Sequence, residues 1–162
     1  MLYSPDGPCV FTSGKHAGKA VELTMFSNPG LLRWIHNRYH RESINNRLHN
    51  HLDWLLKVAD EKQPKMICPQ CNKKPVKYFS LLHSEVGISI GSLYTCCDEK
   101  ECREKILYSA GGKIPSFYEF KFSVIAKFSA KVDERAIIKL FKQAYNLPKR
   151  LTKESAFKFF AN

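Results

Sequence analysis

Five of the six cysteines fall in two clusters, Cys68-Pro-Gln-Cys71 and, 25 residues beyond Cys71, Cys96-Cys97-Asp-Glu-Lys-Glu-Cys102. Two thiolates at Cys-x-x-Cys spacing can reach one tetrahedral ion from a single tight turn, and a second turn returned by a β-hairpin supplies the other two. The expected cofactor is Zn²⁺, held in a zinc ribbon or knuckle by Cys68, Cys71, Cys97 and Cys102, with Cys96 as the alternative to Cys97. Adjacent strand residues point to opposite sides, so one member of that pair should bind metal and the other should not. Disulfides, or a redox dithiol at Cys68 and Cys71, are the competing chemistries. Clustering within a short segment and a reducing compartment both argue for metal. Cys9 stands alone and reads as a small buried residue.

The reducing compartment is itself an inference. No apolar run approaches the eighteen or so residues that cross a bilayer. The opening Met1-Leu-Tyr-Ser-Pro-Asp-Gly-Pro has neither a basic n-region nor an apolar h-region. A cytoplasmic location is expected, or a nuclear one in a eukaryotic or viral setting, with no membrane partner.

The elements that must position the thiols can be read around them. Val76-Lys-Tyr-Phe-Ser-Leu-Leu and Val86-Gly-Ile-Ser-Ile-Gly-Ser-Leu-Tyr-Thr are β-prone runs between the two clusters, as the hairpin requires. Glu101-Cys102-Arg-Glu-Lys-Ile-Leu-Tyr reads as a short helix ended by Gly111-Gly112. Glu61-Lys-Gln-Pro64-Lys marks a change of character, and residues 61–66 read as a linker.

Upstream, residues 8–23 read as a β-hairpin, with Cys9-Val10-Phe11 and Ala20-Val21-Glu22-Leu23 as its strands and Gly14 and Gly18 supplying positive φ. Asn28-Pro29 reads as a helix start leading into Leu31-Leu32-Arg33-Trp34-Ile35. A second helix runs from about Glu42 to Asp60, with Ile44, Leu48, Leu52, Leu55, Leu56 and Ala59 on one stripe. The turn Gly14-Lys15-His16-Ala17-Gly18-Lys19 invites a phosphate contact through Lys15, His16 and Lys19, against the plainer reading of a solvated turn. It is not a Walker A loop, since Gly18-Lys19 comes too early and Ala20 follows.

Phe11, Gly14-Lys15-His16, Gly18-Lys19 and Asn28-Pro29-Gly30-Leu31-Leu32-Arg33-Trp34 resemble the module at the C-terminal end of exodeoxyribonuclease X-like proteins, with a similar module in the putative quorum-sensing-regulated virulence factor family. The resemblance covers residues 10–60. Departures are Thr12-Ser13 before Gly14, Asn28 for the usual Asp and Leu31 for the usual Tyr. The resemblance implies an accessory module associated with nucleic acid. It does not carry the exonuclease activity: no Asp-x-Glu pair occurs in the chain, and only about ten residues precede the hairpin. Cys97-x4-Cys102 resembles the second half of phage late-transcription-activator zinc fingers. Cys96-x5-Cys102 resembles the zinc fingers appended to type IA topoisomerases.

The formal net charge of +11 is unevenly placed: +2 in residues 1–62, +2 in 63–112 and +7 in 113–162. Such a field favours polyanions, nucleic acid first. In the last segment, alternation through Tyr118, Phe120, Phe122 and Val124 predicts a strand. Two basic helices follow, one capped by Asp133 with Ile137, Leu140, Phe141 and Ala144 inward, and one capped by Thr152 with Ala156, Phe157 and Phe160 inward. Lys121, Lys127, Lys139, Lys142, Lys149 and Arg150 lie between those apolar positions as candidate phosphate contacts.

The reading is an α+β protein: an exonuclease-X-tail-like hairpin-and-helix module (1–62), a zinc segment (63–112) and a basic strand-plus-helices unit (113–162). Its expected role is non-catalytic nucleic-acid binding, DNA before RNA, in replication, repair, recombination or transcription. A nuclease, replication or transcription protein is the expected protein partner. One alternative is a zinc-stabilised protein-interaction adaptor. Another is a metal-dependent nuclease using His36 and His40, which stand one helical turn apart near Glu42, His49, His51 and Asp53.

Overall fold

The structure, a computed structural model, describes residues 9–11, 14–28, 30–31, 46–83, 90–111, 115–125, 127–128 and 130–161. In chain order these hold a 3₁₀ turn at Gly14–His16, then helices α1 (Val21–Ser27) and α2 (Asn46–Glu61) and strands β1 (Tyr78–His83) and β2 (Ile90–Cys96). Helix α3 (Lys100–Ser109), strand β3 (Ser116–Glu119) and helices α4 (Phe122–Ile125), α5 (Lys131–Ala144) and α6 (Lys153–Ala161) follow. Helices and one antiparallel sheet in the order β2-β1-β3 make this an α+β fold. No helix among the described residues is long and apolar enough to cross a membrane.

The period of two along β1 divides the interior. Phe79 and Leu81 face a large core with Leu93 of β2 and Tyr118 of β3. Tyr78 faces the other way, joining Tyr94, Phe117, Cys96 and Ile106 around the cysteines. Leu52, Leu55 and Ala59 of α2 enter the large core, as their helical spacing predicts. So do Ile137, Leu140, Phe141 and Ala144 of α5. That core runs from Cys9 to Phe160 and draws on all three sequence segments. Its centre is aromatic: Phe141 stacks on Phe120 with centroids 4.3 Å apart and meets Phe122 edge-on at 4.8 Å.

Several expectations are corrected. The second strand of the 8–23 hairpin shrinks to a single bridge between Val10 and Ala20, and Val21–Ser27 is helical. A short apolar run is compatible with either state. Here the helix buries Val21, Met25 and Phe26 together, which strand alternation from Val21 could not do. The strand expected through Val124 stops at Glu119, and Phe122–Ile125 form a helical turn. Val124 and Ile125 are adjacent and both buried, and the Ser123 amide donates to Asp60 Oδ1 at 3.2 Å, tying α4 to the end of α2. Asp133 does not cap α5. Ala130 holds the N-cap position, and Asp133 sits in the first turn, where a carboxylate suits the helix dipole.

The readings of two helix ends stand, although Phe159, and not the expected Phe157, enters the core from α6. Thr152 Oγ1 accepts from the Ser155 amide at 3.2 Å while Ser155 Oγ accepts from the Thr152 amide at 2.9 Å, a reciprocal cap on α6. Gly111 follows α3 with φ +62°. Residues 61–66 form no helix or strand beyond the end of α2, yet they are held: the Lys65 amide donates to the Ala144 carbonyl at 2.7 Å and Tyr145 Oη donates to the Lys62 carbonyl at 3.1 Å.

Candidate metal centre and cationic groove

The β1–β2 register pairs Tyr78 with Cys96, so the chain entering β1 and the chain leaving β2 lie at the same end of the hairpin. The first loop, Cys68 to Pro75, is closed by the Cys68 amide on the Lys74 carbonyl at 2.8 Å and the Asn72 amide on the Cys68 carbonyl at 2.8 Å. Asn72 adopts φ 54°, a left-handed turn that Asn tolerates better than most residues. The turn directs the amides of Lys74 and Lys73 at the Cys71 sulfur, which lowers its pKa to about 6. The second loop starts at Cys97, just beyond β2, and ends at Cys102 in the first turn of α3. Lys74 pairs with Glu99 and approaches Asp98 at 3.9 Å, and Lys105 Nζ donates to the Gln70 carbonyl at 3.2 Å, so polar contacts join the two loops.

The sulfurs of Cys68, Cys71, Cys97 and Cys102 all lie within 4.8 Å of one another. Cys97, not Cys96, joins the group. Four sulfurs bound at about 2.3 Å to one ion lie about 3.8 Å apart along each tetrahedral edge. Cys71 and Cys97 stand 3.8 Å apart, nearly twice a disulfide bond, and none of the four clustered cysteines is in a disulfide. The donor set therefore fits a tetrahedral, all-thiolate metal site, with Cys68 fully buried and Cys71 half-buried. Cys96 is fully buried among the neighbouring apolar side chains. Burial, then electrostatic contact with Cys68 and Cys97, raises its pKa to about 11, which keeps it a thiol at neutral pH.

A consequence can be counted. Burial raises the pKa of Cys97 and Cys102; contacts with the other thiols raise Cys102 further, while for Cys97 the Glu99 amide and Cys102 offset part of the rise, so both carry protons at neutral pH until a cation displaces them. Loading metal at pH 7 should release two or more protons per ion. Calorimetry in two buffers of different ionisation enthalpy would count them, and binding with no proton release would contradict this placement.

The basic residues divide into separate groups. Arg135, Lys139 and Lys142 of α5 and Lys149 of the following turn line one groove of about 450 Å³ over Phe26, Ile138 and Leu147. Among the described residues, no carboxylate lines it. Lys142 Nζ donates to the Lys149 carbonyl at 3.2 Å, and its partial burial lowers its pKa. Arg150 is exposed beside Lys149. Lys121 instead pairs with Glu119, and Lys127 lies in the field of the same carboxylate.

At the Gly14–Gly18 turn, φ is +72° and +76° at the two glycines. The amides of Ala17, Gly18 and Lys19 bond to the carbonyls of Gly14, Phe11 and His16, and the side chains of Lys15 and Lys19 are exposed. His16 Nε2 accepts from Asn28 Nδ2 at 3.0 Å. Burial, then Lys15 and Lys19, lowers its pKa.

The chain matches no protein-family model, no curated protein and no solved structure.

The geometry also shows what spacing could not. Glu22, expected on a strand, reaches across from α1 to α2, where its Oε1 lies 2.7 Å from His51 Nε2, with both residues buried. His51 is thereby a partner of α1 and stacks on Trp54 at 5.9 Å. His36, His40 and Glu42 lie outside the described residues, as do Pro29, Trp34 and Ile44. Glu22→Ala would leave His51 Nε2 without this bond, and chemical denaturation should show a loss of about 1–3 kcal/mol. A change below about 0.5 kcal/mol would mean that the pair contributes little.

Proposed function

We propose that the chain is a zinc-stabilised, non-catalytic nucleic-acid-binding protein that favours DNA and acts in replication, repair, recombination or transcription. The observation that carries this reading is the convergence of Arg135, Lys139, Lys142 and Lys149 on a groove that no carboxylate of the described residues lines. Cations dispersed for solubility alone have no reason to gather without counter-charges, whereas phosphate recognition needs such a field. The +7 charge of residues 113–162 supports the same choice. So does the likeness of residues 10–60 to the exodeoxyribonuclease X-type tail, with Lys15 and Lys19 as further phosphate contacts.

Zinc is the metal that suits a closed set of four thiolates. It prefers tetrahedral sulfur ligation, and structural sites use all four positions for protein ligands. The ion would clamp the loop before β1 to the loop after β2, acting as a cross-link. A catalytic zinc keeps one position open for water. This ligand set leaves none.

The test is an electrophoretic series with single- and double-stranded DNA and RNA, repeated with Mg²⁺ and Mn²⁺. Binding without loss of substrate, strongest on DNA, is expected. Degradation that co-purifies with the chain and disappears in His36→Ala or His40→Ala would establish the nuclease reading instead.

A protein-docking reading has one observation of its own: Tyr108 is 91% exposed beside Leu107 at 39%, on the helix that the metal centre anchors. If it holds, Tyr108→Ala should abolish capture of a partner while leaving oligonucleotide binding unchanged.

A further inference from the structure

The α5 groove does not end at Leu147. That side chain also lines a second hollow, of about 760 Å³, on the other side of the turn between α5 and α6. The second hollow carries Lys62, Lys65 and Lys158 around Tyr145 and Phe159, with Glu61 as the one carboxylate among the described residues that line it. Lys62 Nζ lies 5.1 Å from the Phe159 ring centroid, and burial, then Lys65, lowers its pKa. Two cation-rimmed hollows with apolar floors thus adjoin across one half-buried leucine.

The shape selects among polyanions. A duplex keeps its base faces stacked inside a convex cylinder and shows only base edges in its grooves, so a recessed apolar floor beneath the rim would meet no base face. A single strand has flexible phosphates and free base faces, and its binding sites combine a positive groove with apolar or aromatic surfaces. Hollows of these volumes lie within the range that admits a nucleotide-sized group. An acidic peptide could pair with the cations, but its short carboxylate side chains offer nothing to the floors.

We propose that the two hollows form one track for single-stranded nucleic acid, with phosphates on Arg135, Lys139, Lys149 and Lys158 and bases turned toward the apolar floors around Leu147. This deepens the nucleic-acid reading above and rests on it.

The test uses the full metal-loaded chain and a fluorescent oligothymidylate of about twelve nucleotides, a length within the usual site sizes, against a duplex of equal length. The single strand should bind at least about tenfold more tightly. Arg135→Glu with Lys139→Glu should weaken single-strand binding by about tenfold or more and flatten the salt dependence by about 0.7 in log–log slope for each phosphate that the chain no longer neutralises. Lys57→Glu with Lys100→Glu makes the same charge change at exposed positions outside both hollows and should cost less than about threefold. Circular dichroism and metal content check folding. If the double reversal fails to fold, Arg135→Gln with Lys139→Gln serves in its place, with a loss of at least about threefold expected.

Equal losses from the groove pair and the control pair would overturn the track, because attraction would then follow net charge alone. Duplex binding as tight as single-strand binding would overturn it too, as would displacement by polyglutamate as effective as by unlabelled oligonucleotide. Failure of the unaltered chain to bind any nucleic acid would overturn the track together with the reading beneath it.

Discussion

Cys97→Ser is expected to abolish stoichiometric metal binding, and Cys96→Ser to preserve it. The two residues are neighbours, yet only the Cys97 sulfur lies with those of Cys68, Cys71 and Cys102. Structural zinc sites contribute on the order of 10–16 kcal/mol of apparent binding free energy at neutral pH, so losing one ligand removes a large fraction of what closes the two loops. Cys68→Ser and Cys102→Ser should behave like Cys97→Ser, with protease sensitivity appearing between Cys68 and Pro75 and at the start of α3. Cys96→Ser should retain the metal while costing about 1–3 kcal/mol, since a hydroxyl replaces a thiol in an apolar setting. Metal analysis of the four purified variants decides the matter. Retention by Cys97→Ser with loss by Cys96→Ser would reverse the ligand assignment.

Phe141→Ala should be the most damaging substitution away from the metal. Phe141 is fully buried, and besides Phe120 and Phe122 it meets Phe79 of β1 at 6.0 Å and Tyr145 at 6.1 Å. Removing a buried aromatic ring costs about 3–5 kcal/mol, which for a chain of this size lowers the melting temperature by on the order of 10 °C. Calorimetry measures it, and a fall of only a degree or two would mean that the aromatic cluster repacks. Because the basic residues of α5 stand on the helix that Phe141 anchors, the same variant should bind oligonucleotide more weakly at temperatures where its core has begun to loosen.

The Phe141 contacts also explain why deleting residues 113–162 would be a poor way to remove the +7 charge. The deletion would take β3 from β1 and Phe120, Phe122 and Phe141 from the core. Charge reversal on exposed positions separates electrostatics from folding.

Local chemistry made much of the molecule legible in its sequence. Cysteine spacing located the thiols that converge, with Cys96 and Cys97 left open, glycine at 111 and threonine at 152 marked helix ends, and helical periodicity found α2 and α5. Errors arose where neighbours, not local preference, decide. Val21 to Phe26 satisfies strand and helix patterns alike until Glu22 is seen to meet His51. Phe120 and Phe122 continue the alternation of β3, but both are needed in the aromatic core, and the chain turns at Phe120 to place them there. Whether Cys96 or Cys97 joins the metal site depends on where β2 ends relative to Tyr78, a matter of register that spacing cannot express. The cationic groove was legible only in part. Lys139, Lys142 and Lys149 stood out as basic, while Phe26 joins them from more than a hundred residues away.

The central claim is that phosphate contacts made by a metal-clamped basic protein give it its function. Its most direct test is the affinity of the unaltered chain for a labelled DNA single strand between about 50 and about 200 mM salt, a range over which phosphate-driven binding falls steeply. The account predicts measurable binding at the lower salt and a straight, steep decline of log affinity with log salt. No binding at the lower salt, or an affinity that does not change across the range, would contradict it.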